Sequence, residues 1–264
     1  MLPAMFLSHG APTLPLTDAP AKMFLETVAA RLPERPRAVL VISAHWETAQ
    51  PRVNAVAVND TIHDFYGFPR ALHEMTYPAP GSPELAARVS ALLTAAGLPC
   101  GIDTARGLDH GAWVPLKLIY PQAAISVVQL SVQSGLGPAH HLAMGRALTN
   151  LREEGVLIVG SGSLTHDLSS FGAYRDRISA PEPAWVTAFA DWFDSALSRD
   201  ATDELVAYRR LAPFATKNHP SEEYLLPLFV ALGAGGEAPH VEHWHASATY
   251  GILRMDVYAF GSGR

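Results

Sequence analysis

The sequence predicts a three-layer α/β/α fold in which a central, mostly parallel or mixed sheet forms a single domain. Apolar runs of strand length recur along the chain, and the stretches between them repeat apolar residues every three to four positions, as helices do. The runs are continuous and not alternating, which indicates strands that are buried on both faces. A sheet of this kind requires a layer of helices on each side.

The predicted strands and helices follow one another along the whole chain. The strands cover Ala4–Ser8, Ala38–Ala44, Ile125–Val132, Val156–Gly160 and Ile252–Phe260. The helices cover Pro20–Leu32, Pro83–Ala96, Pro138–Arg152, Pro181–Leu197 and Pro220–Leu232. Several begin with proline, which is favoured in a first turn because its missing N–H needs no partner there.

Two further segments stand out between these elements. Residues Arg52–Val58 alternate more weakly and are expected to form an edge strand near the second strand. The loop from Asn59 to Pro80 is long and rich in aromatic residues and proline. Loops of that length in compact domains tend to be functional, so this loop is a candidate lid.

Composition and charge exclude several classes of protein. With 264 residues, 48% hydrophobic and 17% charged, the chain has the composition of a globular protein. Its net charge of -6 and scattered basic residues give no stripe for nucleic acid. Its apolar runs are shorter than the roughly 20 residues of a membrane helix. Cys100 is its one cysteine and no signal peptide is recognisable, so a cytoplasmic location is expected. The number of assembled chains is not predictable.

Three of the twelve histidines follow predicted strands. His9 comes after the first strand, His45 closes the second, and His166 follows the strand Val156–Gly160 beyond a glycine-rich turn. Ligands of open α/β sheets bind at the carboxyl ends of the strands, and imidazole is a common ligand of divalent metals. Each histidine alone would also fit a core or a turn, but together the three predict a shared metal site.

A fourth histidine is expected at the start of the last long helix. His219 precedes Pro220, and Asn218 is the expected N-cap. His219 could therefore supply a further metal ligand. Glu222 and Glu223 are rival candidates, because iron sites often combine two histidines with one carboxylate. They are equally well explained as first-turn acids that complement the helix dipole.

The other histidines divide into two groups. His110 lies in a loop that enters a helix, where it could cap the helix or contact substrate, and His63 lies in the aromatic loop. Four further histidines are expected to be solvated and to have no role: His73, His140, His141 and His240.

Other chemistries fail specific checks of spacing. The turn at residues 160–163 reads Gly-Ser-Gly-Ser, which has neither the spacing of a dinucleotide fingerprint nor the lysine of a phosphate loop. It also lacks the second glycine of a nucleophile elbow. No His-Glu-x-x-His pair is present. A metal site formed by histidines from separate segments of the chain is therefore the hypothesis that remains.

Six motifs, in order along the chain, carry a family resemblance. They are Ser-His-Gly-Ala-Pro at 8–12, Ser-Ala-His-Trp-Glu at 43–47, His-Asp-Phe-Tyr-Gly-Phe-Pro at 63–69, Asp-His-Gly-Ala-Trp at 109–113, Gly-Ser-Gly-Ser-Leu-Thr-His at 160–166, and His-Pro-Ser-Glu-Glu at 219–223. Together they resemble the DOPA 4,5-dioxygenase subfamily of the class III extradiol ring-cleaving dioxygenases. The resemblance implies one catalytic domain over residues 1–264 and one divalent metal, either iron(II) or zinc.

The resemblance also implies roles for particular residues. His9 and His45 match the two metal histidines of the family, and His219 matches the remaining ligand position. His166 matches the active-site histidine, which acts as a base and can also reach the metal. His110 matches the second histidine over the substrate pocket. The best known ring-cleaving enzymes of the superfamily use a glutamate as third ligand, so a sphere of histidines alone is a departure.

The implied reaction is the ring cleavage of a catechol such as DOPA by dioxygen, with a small molecule and not a macromolecule as partner. His63, Tyr66 and Trp113 are candidates for substrate contact, although structural burial would also explain the aromatic residues. Two alternatives stay open at this point. One is a zinc-dependent hydrolase in which bound water attacks an ester or amide, and the other is a binding protein that retains the fold without catalysis.

Overall fold

The fold is built around a mixed sheet whose strands alternate with helices. The computed structural model describes residues 1–174 and 176–261. Its strands are β1 (Ala4–Ser8), β2 (Ala38–Glu47), β3 (Arg52–Asn54), β4 (Gly101–Asp103), β5 (Ser126–Val132), β6 (Val156–Gly162), β7 (His240–His245), β8 (Ala248–Thr249), β9 (Leu253–Arg254) and β10 (Val257–Gly261).

The helices lie between these strands. They are α1 (Pro20–Leu25), α2 (Val28–Arg31), α3 (Arg70–His73), α4 (Pro83–Ala95), α5 (His110–Ile119), α6 (Gly137–Leu148), α7 (Ala184–Ser198), α8 (Thr202–Val206), α9 (Tyr208–Leu211), α10 (Ala215–Asn218) and α11 (Leu226–Ala234). Short 3-10 turns cover Leu14–Leu16, Ser134–Leu136, Thr149–Arg152 and Leu168–Ala173. Within the described residues, no helix is both long and apolar enough to cross a bilayer.

The main sheet has eight strands in the order β4-β3-β5-β2-β6-β1-β10-β7. Its centre is parallel, because β2 pairs in parallel with β5 and β6, and β6 pairs in parallel with β1. Antiparallel pairs join β3 to β5, β10 to β1 and β7 to β10. The carboxyl ends of β1, β2, β5 and β6 therefore meet at one edge, where a ligand is expected.

Two hydrophobic cores lie on opposite faces of this sheet. Leu40 of β2 belongs to one core, together with Phe229 of α11 and residues of α4, α6 and α7. Val39 belongs to the other, together with Trp113 of α5 and residues of α1 and α2. Successive side chains of a strand point to opposite faces, so a strand buried on both sides must be apolar throughout. The predicted α/β/α architecture is confirmed.

The weaker sequence patterns are where the predicted elements differ from the structure. The expected edge strand Arg52–Val58 is wrong, because β3 is shorter and lies between β4 and β5. The expected strand Ile252–Phe260 is interrupted at Asp256, a fully buried carboxylate that accepts hydrogen bonds from the Arg254 guanidinium at 2.8 Å and 2.7 Å. The expected helix Pro20–Leu32 is divided into α1 and α2.

The start of the last long helix was also predicted wrongly. Helix α11 begins at Leu226 and not at Pro220, and Asn218 ends α10. The Asn218 side chain donates to Phe214 O and Trp185 O, both at 3.1 Å, so it closes the preceding helix and is not an N-cap of the next. The residues between α10 and α11 run along strand β6, where the Tyr224 carbonyl accepts from Ser163 N at 2.8 Å.

Strand β6 carries two glycines where this segment passes over it. A Cβ on Gly160 would lie 2.2 Å from the Pro227 carbonyl oxygen, and a Cβ on Gly162 would lie 2.0 Å from that of Tyr224. Both distances are far below a van der Waals contact and both neighbours are backbone atoms, so no side chain fits at either position.

His141 is fully buried, so the expectation that it is solvated is wrong. Its Nδ1 lies 2.7 Å from the Gly137 carbonyl, and its Nε2 lies 3.1 Å from the backbone nitrogen of Gln133. The ring must therefore donate from Nδ1 and accept at Nε2, which only the neutral form can do. Burial is the main reason why the pKa of His141 falls from 6.5 to about 4.

This histidine should make the protein less stable in acid. The unfolded chain takes up the proton near pH 6.5 and the folded chain near pH 4, so the stability is fully present above pH 6.5 and is lost between these values. The difference corresponds to about 3 kcal/mol. We expect His141→Gln to reduce the loss of unfolding free energy between pH 7 and pH 4 by about this amount, measured by urea denaturation. The exposed His240→Gln is the control, and equal pH profiles for both variants would contradict the prediction.

Candidate metal centre

Nitrogen atoms of three histidines converge at the carboxyl edge of the sheet. Ligand atoms of His9, His45 and His110 all lie within 4.8 Å of one another. His9 directly follows β1, His45 lies near the end of β2, and His110 is the first residue of α5. The expected meeting of strand-end histidines is therefore found for His9 and His45, and His110 joins them from a helix start.

The orientation of His9 is fixed by a buried serine. Its Nδ1 lies 3.0 Å from Ser161 Oγ. The Ser161 hydroxyl donates its own proton to the carbonyl of Gly111, so it must accept the hydrogen bond from His9. Nδ1 of His9 therefore carries the proton, and the Nε2 lone pair is directed at the other histidines.

Two nitrogens of this group face each other directly: the Nε2 atoms of His9 and His45 lie 3.1 Å apart. On its other side, His45 directs Nδ1 at Asp64 Oδ2, at 3.5 Å. Two imidazole nitrogens that share a first-row cation at about 2.0–2.1 Å each lie about 3 Å apart. The spacing and the free lone pairs of this pair therefore fit a bound divalent metal.

Asp64 connects the two histidines on the outer side of the group. It accepts hydrogen bonds from the backbone nitrogen of His110 at 3.0 Å and from His110 Nδ1 at 2.9 Å. Burial alone would raise the pKa of Asp64, but the hydrogen bonds and charge of His110 lower it to about 2. Asp64 is thus a carboxylate at neutral pH, and it fixes the Nδ1–H tautomer of His110 with Nε2 free.

Burial and mutual repulsion keep the paired histidines neutral. The pKa of His9 lies well below 6.5 because the ring is buried and because His45 and His110 are close to it. Burial and then His110 lower the pKa of His45 to about 4, against the opposing effect of Asp109. Neutral imidazole is the form that binds metals, so no proton has to leave either ring before a cation binds at neutral pH.

A second buried carboxylate holds helix α5 against strand β2. Asp109 caps the helix by accepting from Ala112 N at 3.2 Å, and it also accepts from Ser43 Oγ at 2.6 Å. The Ser43 oxygen in turn accepts from the backbone nitrogen of His45 at 3.2 Å. This chain of hydrogen bonds sets the position of His110 relative to His45.

His166 lies beside the group and stacks on an aromatic ring. The rings of His166 and Tyr224 have their centroids 3.3 Å apart and are inclined by 15°. Burial, followed by the effects of His219 and His45, lowers the pKa of His166 to about 3. His166 is therefore a neutral imidazole at physiological pH, and its assignment as base or ligand stays a prediction.

The structure does not bring His219 into the three-histidine group. Its ring is fully buried, Nε2 donates to the Leu164 carbonyl at 2.8 Å, and Phe189 packs against it. This placement follows from the shifted start of α11, because His219 closes α10 and turns inward. Glu222 lies 4.0 Å from Arg209, and Glu223 accepts from the Ser221 hydroxyl, so these acids have partners outside the group.

The three residues predicted to contact substrate lie in or against the aromatic loop. Trp113 is fully buried, and its indole nitrogen donates to the Ile62 carbonyl at 3.0 Å. His63 Nε2 lies 2.9 Å from the Met75 carbonyl, within the same loop. Tyr66 is 91% exposed. The loop reaches the histidines through Asp64, while the roles of His63, Tyr66 and Trp113 toward a substrate stay predictions.

Several residues of the site were not found by sequence reasoning, among them Asp64, Ser161 and Tyr224. Asp64 and Ser161 stand inside motifs that were noticed for other reasons, and a search for the buried donors and acceptors that fix a histidine tautomer would have singled them out. Tyr224 carries no signal of its own. It comes to the site because of the path of the chain before α11.

The family follows from comparison with known proteins. A model described as the catalytic LigB subunit of aromatic ring-opening dioxygenase matches residues 3–260. The chain belongs to the LigB family. The LigB match confirms the resemblance to class III extradiol dioxygenases, and this protein is an extradiol aromatic ring-opening dioxygenase. Enzymes of the LigB family use a divalent metal, and the three-histidine group is suited to hold one.

Several relatives of this LigB chain match over nearly its full length. The 4,5-DOPA dioxygenase extradiol of Beta vulgaris is 48% identical and covers 97% of this chain and 96% of its own. The protein of the same name from Escherichia coli strain K12 is 42% identical, with coverages of 90% and 87%. The crystal structure of an uncharacterized Escherichia coli K12 protein has a TM-score of 0.79 at 33% identity, covering 99% of this chain and 100% of that one.

Asp64 offers a direct test of how this LigB site is organised. Replacement by asparagine removes the charge and one acceptor, so the tautomers of His45 and His110 are no longer fixed. We expect Asp64→Asn to weaken the binding of a divalent cation about tenfold to hundredfold, as measured by competition with a chelator. Asp60→Asn changes an exposed acid of the same loop and should bind normally. Equal affinities for the two variants would contradict this role of Asp64.

Proposed function

We propose that this dioxygenase binds one iron(II) ion and cleaves the ring of a catechol such as DOPA, adding both atoms of dioxygen. The observation that carries the proposal is the 3.1 Å pair of Nε2 atoms on His9 and His45, with His110 beside it. The printed names of the relatives, 4,5-DOPA dioxygenase extradiol, support the substrate class. The single buried cysteine is consistent with a cytoplasmic location.

The metal would be held by His9 and His45. Both rings present Nε2 and hold Nδ1 in a hydrogen bond or facing a carboxylate, so their lone pairs are available without rearrangement. When bound, iron(II) supplies binding positions for the two catechol oxygens and for dioxygen on one centre, together with the electrons of an oxidisable metal. Zinc suits the same nitrogens but has no redox chemistry, so it would occupy the site in a resting form.

His110 is proposed to move a proton of the catechol. Its Nδ1–H is held by Asp64 at 2.9 Å, which leaves Nε2 as the atom that accepts the proton. An imidazolium formed on His110 would then face a carboxylate that is already ionised, as in the carboxylate–histidine pairs of hydrolases. His166, neutral and stacked beside the same group, is proposed to exchange a second proton with the substrate.

The aromatic loop is proposed to restrict water around the substrate. Trp113 and His63 hold the loop through bonds to backbone carbonyls, so that Asp64 stays in place next to the histidines. Tyr66 lies exposed on the loop, and its ring is proposed to contact an incoming aromatic substrate. A closed, dry site strengthens the electrostatic interactions on which the proton transfers depend.

Metal content tests the assignment of the ligands. We expect His9→Ala and His45→Ala each to lose the bound metal, because two or three protein ligands cannot spare one. His219→Ala should retain it, since the His219 ring lies outside the three-histidine group and its Nε2 atom donates to the Leu164 carbonyl. The measurement is metal per chain after iron loading, with exposed His240→Ala as the control. Full metal content in both His9→Ala and His45→Ala would refute the assignment.

Oxygen uptake tests the proton-transfer roles. We expect His110→Ala and His166→Ala to retain iron but to consume oxygen with a catechol about a hundredfold to ten-thousandfold more slowly, the usual range for a lost general base. Metal content and uptake are measured on the same samples, so that slow turnover is not confused with metal loss. Uptake near the wild-type rate in both variants would leave these histidines without a catalytic role.

A further inference from the structure

Arg152 is a buried cation that no carboxylate neutralises in the part of the chain that the structure describes. The residue is 2% exposed, and all its hydrogen bonds go to backbone carbonyls. Nε donates to Leu2 at 2.7 Å, while Nη1 donates to Ala234 at 3.0 Å and to Gly235 at 2.7 Å. Carbonyls carry only partial negative charge, and arginine is rarely buried without a paired acid, so the positive charge of Arg152 remains largely uncompensated.

The unused end of this guanidinium faces a cavity. Nη2 carries two N–H groups that donate to no described residue. This nitrogen is also not among the unpartnered polar atoms that are sealed off from solvent. Arg152 lines a cavity of about 710 Å³. Nη2 is therefore the part of Arg152 that a molecule in this cavity can reach.

The cavity lies at the opposite edge of the sheet from the three-histidine group. Arg152 and Pro3, which line it, precede the amino ends of β6 and β1. Strand β10 runs antiparallel to β1 and pairs Phe260 with Ala4, so Gly261 at its end lines the same cavity. The histidines instead stand at the carboxyl ends of β1 and β2. A ligand in this cavity is therefore separate from a substrate bound at the metal.

A second arginine without an acidic partner lines the same cavity. Arg31, at the end of α2, places its guanidinium carbon 5.0 Å from the centre of the Phe24 ring and forms no ion pair with a described acid. Glu242 is the one acid in the described lining, and the Trp244 indole nitrogen donates to it at 2.9 Å. Two arginines thus outweigh one acid, so the cavity retains net positive charge.

Apolar and aromatic groups form another part of the wall. Pro3, Pro33 and Ala259 line the cavity together with Trp244, which packs against the core that α1 and α2 cover. Inorganic phosphate would leave these groups in contact with water, whereas an organic molecule would cover them. The walls therefore suit a ligand that joins an anionic group to an apolar body.

We propose that this cavity binds a small organic carboxylate through Arg152 and Arg31. Nη2 of Arg152 and the guanidinium of Arg31 donate to the carboxylate oxygens, which is a pairing that guanidinium groups favour. The organic part lies against Trp244 and the prolines, so we expect an aromatic acid to bind more tightly than inorganic phosphate. No metal takes part, so the inference does not rest on the proposed function.

The test is titration calorimetry of the metal-loaded protein with sodium benzoate at physiological ionic strength, which screens distant charges. We expect Arg31→Gln to weaken benzoate binding about tenfold to hundredfold, the usual effect of losing one charged hydrogen bond. Arg35→Gln removes the same charge from another exposed arginine, which lines a different cavity, and should bind normally. Benzoate bound at the metal instead would be unaffected by Arg31→Gln.

Two further variants should change the affinity in opposite directions. Glu242→Gln removes the opposing charge, keeps an acceptor for the Trp244 indole and should tighten benzoate binding about twofold to fivefold. Arg152→Lys keeps a positive charge but cannot reach the carbonyls and the cavity together, so it should weaken binding about tenfold.

The inference is overturned if the wild-type protein binds no benzoate, or if Arg31→Gln and Glu242→Gln both bind it as the wild type does. Neither of these results depends on whether Arg152→Lys folds, because Arg31 and Glu242 lie at the exposed rim of the cavity. Equal affinities for benzoate and inorganic phosphate would contradict the organic class of the ligand.

Discussion

The close approach of the chain before α11 to strand β6 is the constraint on which the site depends. Gly160 and Gly162 carry no side chain, so the chain before α11 can approach them closely. A Cβ on Gly160 would lie 2.2 Å from the Pro227 carbonyl oxygen, and a Cβ on Gly162 would lie 2.0 Å from the Tyr224 carbonyl oxygen. Any larger residue would push this segment away from the sheet, because backbone atoms cannot move aside as a flexible side chain can. Tyr224 then could not stack on His166, which follows the same strand.

The residue between the two glycines serves the opposite face of the sheet. Side chains alternate along a strand, so Ser161 points away from α11 and toward α5. There it fixes the tautomer of His9 and donates to the Gly111 carbonyl at the start of α5. One short stretch of β6 therefore positions Tyr224 on one face and the His9–His110 side of the site on the other. This explains why a turn with no nucleotide or nucleophile motif still lies at the centre of the chemistry.

The sequence predicts the features that depend on local patterns of residues, and it does not predict those that depend on contacts between distant parts of the chain. The central strands were predictable because burial on both faces leaves continuous apolar runs, and their carboxyl ends located His9 and His45. The start of α11 was not predictable. Pro220 is compatible with the first turn of a helix, whereas the observed closure of α10 by Asn218 depends on a contact with Trp185, which is distant in sequence. The contacts of Asp64 with His110 and of Tyr224 with His166 also join residues that are distant in sequence, so they were not predictable either.

The electrostatic design of the site follows from where its carboxylates stand. Asp64 and Asp109 do not belong to the group of nitrogens but lie behind it, where they orient His110 and His45. Burial and the neighbouring imidazoles lower the pKa of His9 and His45, to about 4 for His45, so these two rings stay neutral well below pH 7. A proton therefore competes weakly with a metal for the same lone pairs. The histidine nitrogens are thus held in place for a cation by their own hydrogen bonds, and the negative charge near the site is carried by Asp64 and Asp109, which lie behind the histidines.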